Sequence, residues 1–325
     1  MASETPELVS GGRGRARLAL VTAGATFPLI FAGGLVTSTD SGLSVPDWPT
    51  TFGVNMFLFP WAEMVGKVGI EHGHRLLGSL VGLLVLSLFA WTMLSERRQH
   101  LRVLAWVALL AVITQGLFGG FRVTLASEPE WNKMAVVLAV VHGCTAQGFF
   151  CLISAIALIQ SERWARRTAA GSSVSTRLAL AVPALIFTQL VFGAVLRHLD
   201  RLLHLHMAFA VLVTAVTLWL CSRSLTSAES DRPRAGWARA MAFMVVFQVL
   251  LGVGSWLVLR RPELVGIRPL MQSALPTLHV ATGAMLLLSS VLHALLSWRS
   301  EPLGASGAET AATERASRVV AEVGA

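Results

Sequence analysis

Apolar residues fall in eight long runs, at 17–37, 71–94, 101–124, 134–159, 178–197, 202–222, 237–259 and 274–298, separated by shorter polar segments. At about 1.5 Å of rise per residue, runs of this length match a hydrocarbon layer roughly 30 Å thick. The pattern predicts an all-α integral membrane protein with eight transmembrane helices. The second run has the least distinct start, because Glu71, His72, His74 and Arg75 crowd its entry. Between the fifth and sixth runs there is room only for a tight turn near Asp200.

Composition agrees with this reading. Hydrophobic residues make up 54% of the 325 residues and charged ones 14%, far from the balance of a soluble globular chain. Most of the 26 Lys and Arg residues lie before the first run, after the even-numbered runs and in the tail, which predicts that both termini face the cytoplasm. The formal charge of +8 is then a matter of topology and of attraction to anionic membrane lipid, and implies no nucleic-acid partner. No small-residue cleavage site follows the first run, so it reads as a retained span. Cys144, Cys151 and Cys221 all lie inside predicted helices, and indicate neither a disulfide framework nor a thiolate metal site.

The chain repeats itself. Phe27 to Asp40 (FPLIFAGGLVTSTD) matches Phe187 to Asp200 (FTQLVFGAVLRHLD) at an offset of 160. His72 and His74 match His204 and His206 at 132, Gln115 and Gly119 match Gln248 and Gly252 at 133, and His142 matches His279 at 137. Four helices per unit is an even number, so both units cross the membrane in the same sense, a parallel repeat. The predicted organisation is two tandem four-helix bundles: a tail at 1–16, a first bundle at 17–160, a cytoplasmic linker at 161–177, a second bundle at 178–298, and a tail at 299–325 expected to be disordered.

Each unit places one histidine on its second helix and one on its fourth, at similar depth: His74 with His142, and His206 with His279. Facing histidines at equal depth are what axial ligation of a haem iron requires, whereas a lone membrane histidine would serve as an interhelical hydrogen bonder. Haem propionates need cations, and the outer helix ends offer Arg75 and Arg122 to the first pocket and Arg197 and Arg260 to the second, with Arg201, Arg261 and Arg268 nearby. Snorkelling to lipid headgroups is the alternative use of these arginines. Gln115, Gln189 and Gln248 read as hydrogen bonders between helices, and Gly33, Gly34, Gly119, Gly120, Gly193, Ala194, Gly252 and Gly254 as points of close helix approach or room for a flat ligand. His198 is expected in a solvated turn, and His100 and His293 lie toward the cytoplasmic side. Glu71 stands three residues before His74, and its counterpart in the second unit is Leu203, so the two pockets are expected to do different work. It is the candidate catalytic carboxylate; a first-turn acid favoured by the helix dipole is the structural alternative.

Glu71-His72-Gly73-His74-Arg75 resembles the E-x-x-H-R motif of the haem A synthase family, and Thr39-Asp40-Ser41-Gly42-Leu43-Ser44-Val45-Pro46-Asp47-Trp48-Pro49 resembles its T-x-S-G-L-x-x-x-D-W-P signature. The likeness extends over roughly residues 17–298. It implies oxidation of the C8 methyl of haem o to a formyl group, giving haem a. It also implies Glu71, His74 and His142 in the pocket for the substrate haem, and His206 and His279 around haem b as the electron-transfer cofactor. A haem o synthase supplying the substrate, an electron donor, lipid and self-association are the partners implied. Many bacterial members carry a cysteine pair in the first outer loop; here Val45 and Thr51 stand in that region, and His72 and His204 are further departures. Two other readings share the histidines and arginines: a diheme electron-transfer protein and a haem or metal transporter. The one-sided Glu71 and an aromatic outer loop holding Trp48, Phe52, Phe57, Phe59 and Trp61 favour an exchangeable occupant in the first pocket.

Overall fold

The computed structural model describes residues 6–165, 168–169, 174–226, 232–266 and 269–300. Ten helices follow in order: α1 (Pro6–Ser38), α2 (Gly66–Ser95), α3 (Gln99–Ala126), α4 (Asn132–Ile159), the short α5 (Glu162–Ala165), α6 (Val174–Leu199), α7 (Leu203–Thr226), α8 (Arg232–Arg260), the short α9 (Pro262–Val265) and α10 (Pro269–Trp298). Eight of them, all but α5 and α9, are long and apolar enough to cross a membrane, with windows of mean hydropathy between 1.8 and 2.2. The chain is an all-α, multi-pass membrane protein. The described residues also hold a 3-10 turn at Trp61–Glu63 and two short antiparallel pairs: β1 (Thr50–Thr51) with β2 (Val54–Asn55) in the outer loop, and β3 (Thr168–Ala169) with β4 (Arg299–Ser300) at the opposite ends of the helices.

The long helices close into two rings. In the first, α1 packs on α2, α2 on α3, α3 on α4, and α4 back on α1; in the second, α6 packs on α7, α7 on α8, α8 on α10, and α10 back on α6. The rings meet along α1, α4, α6 and α10. The shared interior explains why 72% of the apolar window of α10 is buried, against 17–39% for the other spans. Small residues make this possible. Thr277, Ser289 and Ser290 are buried on α10, and each hydroxyl donates to a carbonyl of its own helix, so little polarity reaches the packing surface. Leu83, Leu94, Val211 and Leu250 project outward where lipid would lie, at no hydrophobic cost.

At the end opposite the outer loop, Arg15 of α1 is buried and donates to Glu96 at 2.8 Å, Ser95 at 2.5 Å and Gln160 at 3.3 Å, tying α1 to the ends of α2 and α4. Arg98 closes on the same carboxylate. Burial alone would raise the Glu96 carboxyl, but the hydrogen bonds and charges of Arg98 and Arg15 outweigh it and bring it down to about 2. Cys144, Cys151 and Cys221 are free and buried.

Candidate functional site

Helix α2 begins at Gly66, so Glu71, His72, His74 and Arg75 sit in its second and third turns, clear of the helix start. That removes the first-turn reading of Glu71. The carboxylate is 3% exposed; one oxygen accepts the Val45 N–H at 2.9 Å and the other accepts from Arg75 at 2.7 Å. The two terminal nitrogens of Arg75 also donate to the carbonyls of Val45, Asp47 and Thr50, at 2.7–3.0 Å. His72, also buried, meets the Thr51 hydroxyl at 3.0 Å and lies tilted against Phe59, with ring centres 5.2 Å apart. Residues 71, 72 and 75 thus form one latch that fastens the outer loop to α2. Asp47 completes the loop from within: it accepts from the Thr50 hydroxyl and from the Phe52 and Gly53 N–H groups. Burial works against its charge, and these hydrogen bonds still leave its carboxyl below the ordinary value. Trp48 packs over Gly120 of α3 and edge-on to Phe121, so the loop also covers the top of the first ring.

His74 points elsewhere, toward His142 of α4, with ring centres 6.5 Å apart. In the second ring His206 of α7 and His279 of α10 stand 6.4 Å apart. A metal bonded at about 2 Å by a nitrogen of each ring requires ring centres roughly 6 Å apart. The rings of His74, His142 and His279 are buried and lie against the backbone of Leu29, Gln115 and Gln248 respectively, which turns each ring toward its partner across the bundle. Both pairs therefore fit an axially ligated haem. Among the described residues there is no cluster of three or more histidines, cysteines and acids that would suit a protein-only metal centre.

Each of these four histidines rests on a glycine of the helix before it. A methyl group on Gly33, Gly119, Gly193 or Gly252 would stand 3.1, 3.5, 3.0 or 3.1 Å from Cε1 of His74, His142, His206 or His279 respectively. Of the two uses expected of these glycines, close helix approach is the one seen: the space gained holds the histidine ring. Four residues before each seat comes Leu29, Gln115, Gln189 or Gln248. Gln189 and Gln248 donate to the backbone carbonyls of His206 and His279 at 2.9 Å, and Gln115 donates to Thr145 at 2.5 Å, one turn from His142. The repeating element is thus a helix pair used four times. A search for two long repeats passes over it; the signal was the recurrent Gln-x-x-x-Gly before a histidine.

The arginines divide. Arg122 and Arg197, from different rings, line one polar cavity of about 430 Å³ together with Thr37, Asp40, His198 and Gln272, and Arg197 donates to the Thr37 carbonyl at 3.1 Å. His198 is thus half-buried in the last turn of α6 and not in a solvated turn, because α6 continues to Leu199. Arg75 is occupied by the loop, and Arg260 is ion-paired with Asp200 beside the α6–α7 turn. Arg268 lies outside the described residues. His204 is exposed on α7, so of each histidine pair two apart only one faces its partner across the ring. His293 is buried at the far end of α10 and bonded to Ser224 at 2.9 Å.

Residues 16–208 match the COX15-CtaA family model, described as cytochrome oxidase assembly protein. The heme A synthase of Exiguobacterium sp. is 28% identical over 265 residues, covering 74% of this chain and 81% of that protein. The heme A synthase of Symbiobacterium thermophilum is 29% identical over 256 residues, covering 68% and 80%. That of Halalkalibacterium halodurans reaches 36% over a shorter stretch of 121 residues, 36% of this chain and 37% of the relative. The motifs around Glu71 and the outer loop fall inside the matched region, and the chain belongs to the haem A synthase family of cytochrome oxidase assembly proteins.

Proposed function

We propose that the protein oxidises the C8 methyl of haem o to a formyl group, with the first ring taking the substrate and the second retaining haem b. The observation that carries this is the pair of glycine-seated histidine couples, 6.5 and 6.4 Å apart, one with a carboxylate and a capping loop beside it and one without. In this reading His74 and His142 hold the substrate haem and His206 and His279 hold haem b. Haem b, when bound, supplies electron transfer. Arg122 and Arg197 offer their guanidinium groups to haem carboxylates from the shared polar cavity. Arg75 serves the first pocket through the loop it holds, and Arg260 serves the second by fixing the α6–α7 turn through Asp200. Glu71 is the carboxylate that manages charge and protons at the substrate edge, its plane fixed by Arg75 and the Val45 N–H. The loop over the first ring excludes water from the reacting methyl. A haem o synthase as the source of substrate and a membrane-side electron donor complete the scheme. A diheme electron-transfer protein would share the histidines; the latch at Glu71, present on one pocket only, favours substrate exchange there.

The seats give a direct test. At Gly193 an added methyl would stand 3.0 Å from the His206 ring and push it out of place, whereas at Gly119 it makes ordinary contact with His142. Gly193→Ala should lower the haem b recovered per protein severalfold in absorption spectra, and Gly119→Ala should leave it near normal. Full haem b content in Gly193→Ala would contradict ligation by His206.

The pockets and loop are placed on the non-cytoplasmic face of the cell membrane, with both termini inside. Cysteines introduced at the exposed positions Ala62 and Gln99 should react with an impermeant thiol reagent from opposite sides, and the buried native cysteines should stay silent. Labelling of both from one side would overturn the orientation.

A further inference from the structure

Beside His74 a second cavity, of about 450 Å³, runs between α1 and α2. Its walls are Ala32 and Leu35 of α1 and Gly73, Leu77 and Leu80 of α2, and Met64 and Trp61 of the outer loop close its outward end. Leu80 and Trp61 are exposed at its rim, so the groove leads from the histidine to the side of the bundle that faces lipid. A side-chain carbon built on Gly73 would meet nothing within 4 Å.

The second ring shows what this space looks like when it is filled. At the repeat offsets of 160 and 132, Ala32, Gly73 and Leu77 correspond to Phe192, Leu205 and Phe209. Phe192 and Phe209 stack edge to face with centres 5.3 Å apart, between the helices where the first ring keeps its groove open. No loop equivalent to Trp61 and Met64 stands over them, since α6 and α7 are joined by a short turn. Two exchanges of large for small, Ala32 to Phe192 and Gly73 to Leu205, and one of aromatic for aliphatic, Leu77 to Phe209, thus separate two otherwise parallel histidine pockets.

We propose that the groove takes a long apolar substituent of the substrate porphyrin, the isoprenoid chain by which haem o differs from haem b, and that Ala32, Gly73 and Leu77 set this specificity. The proposal rests on the reading of the first ring as the substrate pocket. The occupant is a porphyrin substituent and not a separate lipid because His74 itself lines the groove, so the chain is continuous with whatever that histidine binds. The second ring, with phenylalanines in the equivalent space, accepts a haem with short substituents only. An apolar chain needs apolar walls and no directional partner, and the groove provides that.

Purified protein retaining the haem of its second pocket is titrated with haem o and, separately, with added haem b, following the absorption change lost in His74→Ala. Gly73→Leu should weaken haem o binding tenfold or more, which displacing about two buried methylenes suffices to produce. Binding of added haem b to the same pocket should change less than twofold. The double variant Ala32→Phe with Leu77→Phe, which rebuilds the ring pair of the second pocket, should reproduce the selective loss, and serves if Gly73→Leu does not fold. Equal loss of both haems, or no loss of haem o, would overturn the proposal. A wild-type protein whose first pocket binds neither haem would instead defeat the functional reading on which it stands.

Discussion

Glu71→Gln should lower haem a formation by about 10²- to 10⁴-fold, the range that a positioned acid or base typically contributes, while haem b remains bound. The carboxylate is buried, and both oxygens are engaged, by the Val45 N–H and by Arg75, so a loss of turnover has two possible origins. Glutamine keeps one carbonyl oxygen for Val45 but gives up the charge opposite Arg75. If Glu71 only anchors the loop, its loss appears as a broken buried ion pair, about 3–5 kcal/mol of stability, with amide exchange rising across residues 45–51. If it acts on the substrate, turnover falls far more than loop protection does. Arg75→Lys calibrates the comparison: it keeps a cation beside Glu71 but cannot reach three loop carbonyls at once. Near-normal conversion in Glu71→Gln would remove the residue from the chemistry.

The second large effect divides the two pockets. His206→Ala and His279→Ala should each strip most of the haem b from the purified protein, because each removes one of the two facing histidines that would hold it. His74→Ala and His142→Ala should leave that haem in place and reduce conversion of haem o. Haem content by absorption and product by extraction, measured on the same four preparations, check this. Equal depletion of haem b in all four would mean that the rings are not specialised.

Much of this architecture was legible because lipid imposes a simple rule. All eight spans were located from apolar length, and the histidines from their recurrence at matched depth. The helix ends were read short: α2 starts at Gly66 and not near residue 71, since its polar first turns carry loop-binding side chains that hydropathy counts against a span. For the same reason α6 runs through His198. The use of His72 could not be read, because its partner Thr51 lies 21 residues away in a loop whose path depends on tertiary contacts. The assignment of arginines by helix end was too coarse. Arg122 and Arg197 come together although they belong to different rings, whereas Arg75 and Arg260 find carbonyl or carboxylate partners of their own. The helix-pair repeat was hidden at its first occurrence, where Leu29 stands in place of the glutamine.

A pyridine haemochrome spectrum of the purified protein, prepared from cells with and without a supply of haem o, bears most directly on the central claim that one ring converts a haem while the other keeps one. The account predicts haem b alone without haem o, and haem a in addition to haem b when haem o is supplied. Haem b alone under both conditions, at two equivalents per chain, would contradict it.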